Sequence, residues 1–371
     1  MSSYSAIAIM LLTNKLEQLP SGGREMLCKL NHDMLIDIYG DSLTVLEVNK
    51  KPVRDIISSI TAFRGYIDGV NFMTINSVIR IILKKNIKKI FIDGSNFGEI
   101  ARLIKIQYPN VLVYTFFHNV EVRFFLGSLR QKKSIHALAV LVANYLAEKK
   151  AVRYSDKIIC LSNRDSLLLK HLYGRLATDI SPMALQDKLS VKRVSLEYSK
   201  KDKYCLFVGG TFYANRDGIT WFVRNVASHV SLNICIVGRG FEELKDELES
   251  EANVEVVGAV ESLAEWYLGA HVVIAPIFDG SGMKTKVAEA LMFGKKIIGT
   301  PEAFSGYEDC ASKVGWSCST AADFILAINE AQNMSISPFD EHLRNIFTEK
   351  YSMHAATKRL AKILDDKEFS L

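Results

Sequence analysis

Short runs rich in isoleucine, valine and phenylalanine alternate with amphipathic segments along the whole chain. These runs lack the alternation of apolar and polar residues that marks a half-exposed strand, so they predict strands of a parallel sheet covered by helices on both faces. In the first half of the chain the predicted strands are residues 6–13, 42–48, 87–93, 111–117 and 157–162.

The same pattern restarts at Tyr204, after a charged and weakly periodic stretch at residues 184–203. The second series of predicted strands is residues 204–210, 232–238, 253–258, 271–277 and 295–300. The interpretation is an α/β chain with two doubly wound, Rossmann-like domains that face each other across a cleft. The predicted parts are a first domain at 1–190, a linker at 191–203, a second domain at 204–340, and C-terminal helices at 341–371 that cross back to the first domain.

Composition narrows the class of protein. In the 371-residue chain 49% of residues are hydrophobic and 23% are charged, which excludes intrinsic disorder and fibrous repeats. No apolar stretch reaches about 18 residues, the length of a membrane span. The six cysteines form no C-x-x-C pair and several lie in apolar runs, so we expect buried thiols in a reducing compartment. The expected location is cytoplasmic.

The net charge of +5 divides unevenly between the two halves. Residues 1–200 carry a balance of +12 and residues 201–371 a balance of −7. Basic clusters in the first half, at residues 84–89, 130–133 and 149–153, alternate with apolar helical residues such as Ile135 and Leu138. This pattern favours peripheral contact with the anionic inner face of a membrane. The alternative for each single cluster is a solvated helix face. Nucleic acid is not an expected partner, because no reader motif is present.

Residues 275–300, APIFDGSGMKTKVAEALMFGKKIIGT, hold the strongest chemical signal. A predicted strand leads into a loop with Gly280, Ser281 and Gly282, and a helix is predicted to begin near Met283. Glycines before a helix let backbone N–H groups approach an anion, and the helix N-terminus adds partial positive charge. Lys284 and Lys286 would add mobile charge there. A diphosphate is the expected occupant; the alternative is a plain strand-to-helix turn with solvated lysines.

Four segments together resemble GT-B glycosyltransferases of family 4. Residues 289–300, EALMFGKKIIGT, are similar to the family's second-domain helix and strand. The opening of that domain resembles residues 207–223, FVGGTFYANRDGITWFV. The family's first strand with its Gly-Gly loop resembles residues 10–25, MLLTNKLEQLPSGGRE. The family's strand-end histidine segment resembles residues 116–125, FFHNVEVRFF. The segments occur in family order and span most of the chain.

The resemblance implies roles for the matching residues. Gly22 and Gly23 would bring a loop close to the donor diphosphate, and His118 would lie near the transferred sugar. Glu289 would bind the ribose of a nucleotide sugar, and His118 and Glu289 are the expected catalytic residues. Donor binding is expected from a larger set that shares the glycine loops and the helix starts: Gly22, Gly23, Gly210, Thr211, Asn215, Arg216, Ser281, Gly282, Met283, Lys284, Lys286 and Glu289.

Some of these residues also have a purely structural interpretation. His118 could be a packed histidine, Gly22 and Gly23 a helix-entry turn, and Asn215 with Asp217 the N-cap of a helix that starts near Gly218.

The sequence departs from the family pattern at two places. Many members carry two glutamates eight positions apart, but the partner of Glu289 at that spacing is Ser281. Many members also carry an arginine and a lysine after the first strand of the second domain, whereas Gly210 stands where the arginine is expected. We infer that Arg216, Lys284 or Lys286 neutralises the diphosphate instead.

The absence of any D-x-D pair agrees with the metal independence that the resemblance implies. No cofactor and no metal site are expected. The sequence therefore predicts a retaining, hexosyltransferase-type enzyme that moves a sugar from a nucleotide-diphosphate sugar to a saccharide acceptor. The expected acceptor is lipid-linked, and the expected process is polysaccharide biosynthesis. A non-catalytic nucleotide-sugar-binding or scaffolding member of the same fold is the alternative. A nicotinamide-type dehydrogenase is disfavoured, since VGRGFEE at 237–243 lacks the third glycine of the dinucleotide motif.

Overall fold

The computed structural model describes residues 8–18, 23–49, 60–131, 133–189, 203–280 and 282–364. The chain divides into two compact units. The first unit comprises Met1–Ala184 and Ala356–Leu371, and the second comprises Leu185–Ala355. Gly22, Ser281 and most of the predicted linker lie outside the described residues.

The first unit contains a six-stranded parallel sheet in the order β2-β1-β3-β4-β5-β6. Its strands are β1 (Ile9–Asn14), β2 (Leu43–Val48), β3 (Lys89–Asp93), β4 (Leu112–Phe117), β5 (Lys157–Cys160) and β6 (Asp179–Ile180). The helices between them are α1 (Gly23–Tyr39), α2 (Phe72–Lys85), α3 (Gly98–Gln107), α4 (Glu121–Gln131), α5 (Ile135–Tyr154) and α6 (Asn163–Tyr173).

Local sequence explains where these elements begin and end. The strands β1 and β3 are buried along their whole length, as expected for the centre of a sheet covered on both faces. The helix α2 starts at Asn71, whose side chain accepts hydrogen bonds from the first backbone N–H groups, and it ends at Asn86 in the left-handed conformation. Ser162 and Gly174 perform the same two tasks for α6.

The second unit repeats the architecture with the strand order β12-β11-β10-β7-β8-β9, again parallel throughout. Its strands are β7 (Tyr204–Val208), β8 (Asn233–Val237), β9 (Val254–Gly258), β10 (Val272–Ala275), β11 (Ile297–Gly299) and β12 (Gly315–Ser317). Its helices are α7 (Tyr213–Val226), α8 (Lys245–Leu248), α9 (Leu263–Gly269), α10 (Thr285–Met292), α11 (Ala311–Val314), α12 (Ala321–Asn333) and α13 (Glu341–Ile346). A π-helical segment (Phe347–Tyr351) and α14 (Met353–Ile363) follow, and the unit boundary falls within α14.

All ten strands predicted from the apolar runs are present, each within a few residues of its predicted bounds. The prediction missed β6 and β12, which are two and three residues long and carry too few side chains to form a pattern. The expectation about cysteines is confirmed for burial, because all six are buried and unbridged. None of the helices that the structure describes has the length and apolar character needed to cross a membrane.

Two basic residues that the sequence suggested for a membrane-facing surface have structural roles instead. Lys89 is buried, and its Nζ donates a hydrogen bond to the Leu364 carbonyl over 2.5 Å. Lys150 pairs with Glu99 and donates to the Arg64 carbonyl. Their assignment to a lipid-facing cluster is therefore wrong, because their charges are used inside the first unit.

Candidate functional site

In the second unit, the loops after β7 and β8 approach each other so closely that only glycine fits. Gly238 has a φ of +151°, and a Cβ there would lie 1.6 Å from the Gly209 carbonyl oxygen. Gly240, at φ +90°, leaves no room for a Cβ beside the Thr211 hydroxyl. Gly210 itself borders open space, since the nearest atom to a Cβ there would be the Arg239 carbonyl oxygen at 3.9 Å. The backbone at Gly210 is thus accessible to a ligand at the carboxyl edge of the sheet.

The loop after β10 shapes the start of α10. Gly280 and Gly282 both have positive φ angles, 137° and 70°. Met283 is buried and packs on Gly306, where a Cβ would lie 2.4 Å from the methionine Cγ. The helix begins at Thr285 rather than near Met283, and its N-cap residue Lys284 gives no side-chain hydrogen bond to the first turn. Backbone N–H groups of this turn therefore lack a side-chain cap.

Lys286, on the first turn of α10, is buried rather than mobile as the sequence suggested. Its Nζ donates a hydrogen bond to Asn215 Oδ1 over 2.8 Å and lies 4.4 Å from the centre of the Phe207 ring. Among the described residues it forms no ion pair. Burial lowers the pKa of Lys286 to about 7, with the charge of Glu289 opposing this shift and that of Lys284 adding to it. A buried lysine without a carboxylate partner in the described part of the chain can direct its charge to a bound anion.

Asn215 connects this lysine to the loop after β7. Its Nδ2 donates to the Gly210 carbonyl oxygen over 2.9 Å while its Oδ1 accepts from Lys286. The N-cap interpretation of Asn215 and Asp217 is wrong, because α7 begins at Tyr213 and both residues lie within it.

The other two candidate cations already have partners. Lys284 Nζ lies 2.9 Å from Glu302 Oε1 and donates to the Gly282 carbonyl as well. Arg216 is exposed and pairs with Asp217 over 3.2 Å. Nearby, the buried Ser305 hydroxyl has no hydrogen-bond partner. Lys286 is therefore the candidate whose charge is least compensated by the protein.

Glu289 lies one turn further along α10 and is buried. Its Oε2 accepts a hydrogen bond from the Tyr267 hydroxyl over 3.1 Å, and its Oε1 lies 3.2 Å from Lys188 Nζ. The Tyr267 ring stacks on Phe293 with 11° between the ring planes. The carboxylate is thus held by a rigid tyrosine on one side and an exposed lysine on the other.

In the first unit, Asp93 organises a polar cluster at the carboxyl edge of the sheet. This fully buried carboxylate accepts hydrogen bonds from Thr13 Oγ1 over 2.9 Å and from Asn31 Nδ2 over 2.8 Å. His118, one residue after β4, places Nε2 at 2.7 Å from Asp93 Oδ1. Burial opposes ionisation of Asp93, but His118 and the hydrogen bonds of His118 and Asn31 hold its pKa below the usual value. The histidine ring is therefore fixed in orientation.

Several buried polar atoms around His118 have no hydrogen-bond partner among the described residues. They include Nδ1 of His118, both side-chain heteroatoms of Asn14, Oδ1 of Asn96 and of Asn119, and Nε and Nη2 of Arg24. Arg24 Nη2 and His118 Cε1 lie 3.4 Å and 4.0 Å from the position that a Cβ on Gly94 would occupy, so the two side chains share one corner of the site. Buried polar groups are nearly always satisfied, so this cluster is a candidate ligand site.

Gly23, the described member of the Gly-Gly pair, is the first residue of α1 and has nothing within 4 Å of where its Cβ would be. Arg24 follows it and pairs with Asp68 over 3.1 Å. Sequence reasoning selected His118 but missed Asn14, Arg24 and Asp93. The available signal was position: Asn14 and Asp93 are the last residues of two neighbouring strands, where ligands bind in such sheets.

Potential metal ligands meet in one place within the described residues. Atoms of Cys28, Asp93 and His118 lie within 4.8 Å of one another. The Asp93 carboxylate is already engaged by Thr13, Asn31 and His118, and burial beside Asp93 raises the pKa of the Cys28 thiol strongly, which disfavours the thiolate that a metal needs. These residues fit a hydrogen-bond network better than a metal centre.

Residues 202–331 match the family model described as glycosyl transferases group 1. Both units also match solved structures over nearly their whole length. Sucrose-phosphate synthase from Thermosynechococcus elongatus aligns at a TM-score of 0.69 with 15% identity, covering 96% of this chain and 98% of that one. The chain has the GT-B fold.

Two further structures share this fold. HepE (Alr3699) of Anabaena in complex with UDP aligns at a TM-score of 0.66 with 13% identity, over 96% of this chain and 99% of that one. The lipopolysaccharide outer core galactosyltransferase WaaB aligns at 0.63 with 12% identity, over 97% and 99%. No curated protein sequence matches the chain. In this GT-B fold the matched family region contains Lys286, Glu289 and the glycine loops, and the His118 cluster lies in the other unit.

Proposed function

We propose that this protein is a retaining glycosyltransferase that transfers a hexose from a nucleotide-diphosphate sugar to a saccharide acceptor in polysaccharide biosynthesis. The observation that carries the proposal is Lys286, a buried lysine without an ion pair among the described residues. It lies between two glycine-rich loops, in the unit that matches the glycosyl transferases group 1 model. A diphosphate would supply the missing negative charge. HepE of Anabaena, with the same fold, was solved with UDP and with UDP-glucose, which supports a nucleotide-sugar donor.

The chemistry of transfer fits these groups. When the bond between the sugar anomeric carbon and the diphosphate breaks, negative charge develops on the departing phosphate, and fixed positive charge stabilises that charge. Lys286 and the uncapped N–H groups at the start of α10 would serve this role without a metal ion. Retention is proposed from the family resemblance, with the departing phosphate helping to take the proton of the acceptor hydroxyl.

The His118 cluster supports a saccharide in the first unit. Its unpartnered atoms include donors on Arg24 and acceptors on Asn96 and Asn119, and a sugar hydroxyl both donates and accepts. The charged groups of the cluster already have polar partners: Arg24 pairs with Asp68, and the Asp93 carboxylate accepts hydrogen bonds from Thr13 and Asn31. A neutral, hydroxyl-rich ligand therefore fits better than a second phosphate.

Activity is tested by incubating the full chain with radiolabelled UDP-, GDP- and dTDP-sugars and a membrane extract that contains lipid-linked saccharides. We expect one donor to be hydrolysed slowly alone and to label the lipid-linked fraction when the extract is present. Nucleotide binding without hydrolysis or transfer under any combination would contradict the enzyme proposal and favour the non-catalytic, sugar-nucleotide-binding alternative.

Glu289→Ala should weaken nucleotide binding by about 10- to 100-fold, since a hydrogen bond to a charged group contributes about 1.5 to 3 kcal/mol. We propose that this carboxylate, oriented by Tyr267, accepts hydrogen bonds from the ribose hydroxyls. Isothermal calorimetry with UDP and 2′-deoxy-UDP measures the effect. The loss should be smaller for the deoxy nucleotide, which lacks one of the two hydroxyls.

Tyr267→Phe is the matched control, because it keeps the ring stacked on Phe293 and removes only the hydroxyl donor. A modest loss of affinity is expected from it. Equal affinity of Glu289→Ala and the unaltered protein for UDP would show that the ribose binds elsewhere.

A surface on α4 and α5 supports the proposed contact with an anionic membrane, at its cytoplasmic face. The two helices pack against each other and leave large apolar side chains exposed, with Ile135 89% exposed and Leu138 50% exposed. Exposed basic residues stand among them: Arg130, Lys133 and Lys149. Apolar side chains that enter the lipid interface beside cations attracted to its headgroups are typical of peripheral binding.

The double variant Ile135→Glu/Leu138→Glu should lower the membrane-bound fraction about tenfold, because it replaces apolar insertion by repulsion from anionic headgroups. Flotation with vesicles of phosphatidylcholine and 30% phosphatidylglycerol measures binding. Leu326→Glu, a similarly exposed leucine on α12, is the control and should bind as the unaltered chain does. Equal flotation of the double variant, or equal binding to pure phosphatidylcholine, would contradict an anionic lipid partner.

A further inference from the structure

A shallow cavity of ≈ 400 Å³ lies along one side of α7, and its lining includes neither Lys286 nor Glu289. Its lining side chains repeat at helical spacing along α7, from Arg216 through Trp221 to Arg224 and Asn225, and Glu247 on α8 closes the opposite wall. Ligand sites are commonly about 300 to 1,000 Å³, so a small ligand or part of a longer one fits. We call this feature the α7 groove.

One aromatic ring, that of Trp221, lines the α7 groove, and further rings lie beyond the groove. Trp221 is partly exposed and meets Phe278 edge-to-face, with 4.5 Å between the ring centres. Phe278 is 46% exposed, and Phe212 at the start of α7 is 52% exposed and contacts Tyr213 at 4.4 Å. The Tyr213 hydroxyl lies 3.3 Å from Asp279, next to Phe278. These rings form a surface between the α7 groove and the loop that precedes α10.

The charged groups of the α7 groove compensate each other. Arg224 pairs with Glu247 over 2.6 Å, and Arg216 pairs with Asp217 over 3.2 Å. All four side chains are well exposed, so these ion pairs contribute little to stability and can rearrange around a ligand. The groove therefore offers planar hydrogen-bonding groups without a net charge that would select a polyanion.

We propose that the α7 groove binds a neutral saccharide, separately from the nucleotide-sugar site. The Trp221 ring would cover the apolar C–H face of a pyranose, while the guanidinium, carboxylate and amide groups around it would bind neighbouring hydroxyls. Such an arrangement would hold an extended glycan on the second unit. The role of the α7 groove in holding the acceptor chain rests on the proposed function, whereas saccharide binding by the groove does not.

The test uses the full chain labelled with 5-fluorotryptophan, which reports on all three tryptophans by ¹⁹F NMR. Maltotriose, cellotriose and chitotriose serve as neutral probes, and a heparin hexasaccharide serves as an acidic probe. At least one neutral trisaccharide should shift the Trp221 signal saturably at millimolar concentration and leave Trp266 and Trp316 unchanged. Trp316→Phe is the matched control and should bind equally well.

Trp221→Ala should weaken that binding at least tenfold, and Arg224→Gln, which keeps the aromatic packing intact, should weaken it several-fold. Neither variant should change the stabilisation of the protein by UDP in a thermal-shift assay. The proposal is overturned if no neutral probe shifts Trp221, if all three signals move together, or if only heparin binds. Loss of UDP binding in Trp221→Ala would also overturn it, whereas failure of the unaltered chain to bind any nucleotide counts against the proposed function alone.

Discussion

Lys286→Met is expected to reduce the affinity for a nucleotide-diphosphate sugar by about 100-fold or more. The substitution keeps the approximate length of the buried side chain and removes its charge, so the diphosphate would lose a charged hydrogen bond. The fold should remain, because within the described part of the chain Lys286 has no ion pair to break. Its side-chain nitrogen donates a hydrogen bond to Asn215 and lies over the Phe207 ring. Calorimetric titration with the donor found in the screen measures the change.

The pH dependence of the same binding provides a second measurement. Burial lowers the pKa of Lys286 to about 7, so in the free protein this side chain is mostly neutral above pH 7. A bound diphosphate stabilises the ammonium form and raises its pKa, so binding above pH 7 takes up a proton. Affinity should therefore fall by about tenfold per pH unit above 7 and be nearly constant below it. A nucleotide sugar is the right probe, since its diphosphate has no ionisation in this range.

Lys284→Met is the matched control on the same turn. Lys284 is paired with Glu302, so its removal should change the affinity modestly and leave the pH dependence in place. Proton uptake is obtained by repeating the calorimetry in buffers of different ionisation enthalpy. If the pH dependence persists in Lys286→Met, or vanishes in Lys284→Met, Lys286 is not the residue that neutralises the diphosphate.

The second large effect is expected at His118. Replacement by alanine should lower the transfer rate by about 100- to 1,000-fold with nucleotide affinity nearly unchanged, because the side chain lies in the unit that does not contain Lys286 or Glu289. Its Nε2 is held by Asp93, and its Nδ1 is buried without a partner. We expect Nδ1 to bind the transferred sugar.

Two conservative variants separate the roles of the ring nitrogens. His118→Asn places an amide near the Nδ1 position, whereas His118→Gln places one near Nε2 and can keep the hydrogen bond to Asp93. His118→Asn should retain more activity than His118→Gln if Nδ1 contacts the sugar. Circular dichroism and thermal unfolding of both variants control for folding. If His118→Gln were fully active, His118 would have a packing role and Nδ1 would not be needed for transfer.

The strands were the most predictable part of this chain. The central predicted strands, such as β3 and β7, combine several apolar side chains with no alternating polar residue, and burial on both faces of a parallel sheet requires that composition. β6 and β12 are stabilised mainly by their neighbours, so their own residues carry no comparable signal. The helix at residues 285–292 was predicted two residues early, because the glycines that precede it do not specify which residue takes the N-cap position.

The candidate site was predictable only where one short segment supplies it. The loop and helix at residues 280–289 carried the glycines, lysines and glutamate in a recognisable order. The sequence did not show whether either lysine is buried, because the same spacing is compatible with a solvated lysine and with a buried one. Other parts of the second unit give the two lysines different surroundings. Glu302 pairs with Lys284, whereas Asn215 and Phe207 contact Lys286.

By itself, then, the sequence determined the two series of buried strands, the burial of its cysteines and the segment that holds the candidate anion site, because each depends on residues close together in the chain. The tertiary structure alone decided which lysine lacks an ion pair and which polar atoms are left without partners around Asp93. Thr13, Asn31, Asp93 and His118 are separated by up to 105 positions. The parallel pairing of β1, β3 and β4 brings Thr13, Asp93 and His118 to one edge, and α1 supplies Asn31. Burial and hydrogen-bond satisfaction are properties of that edge, and no local pattern records them.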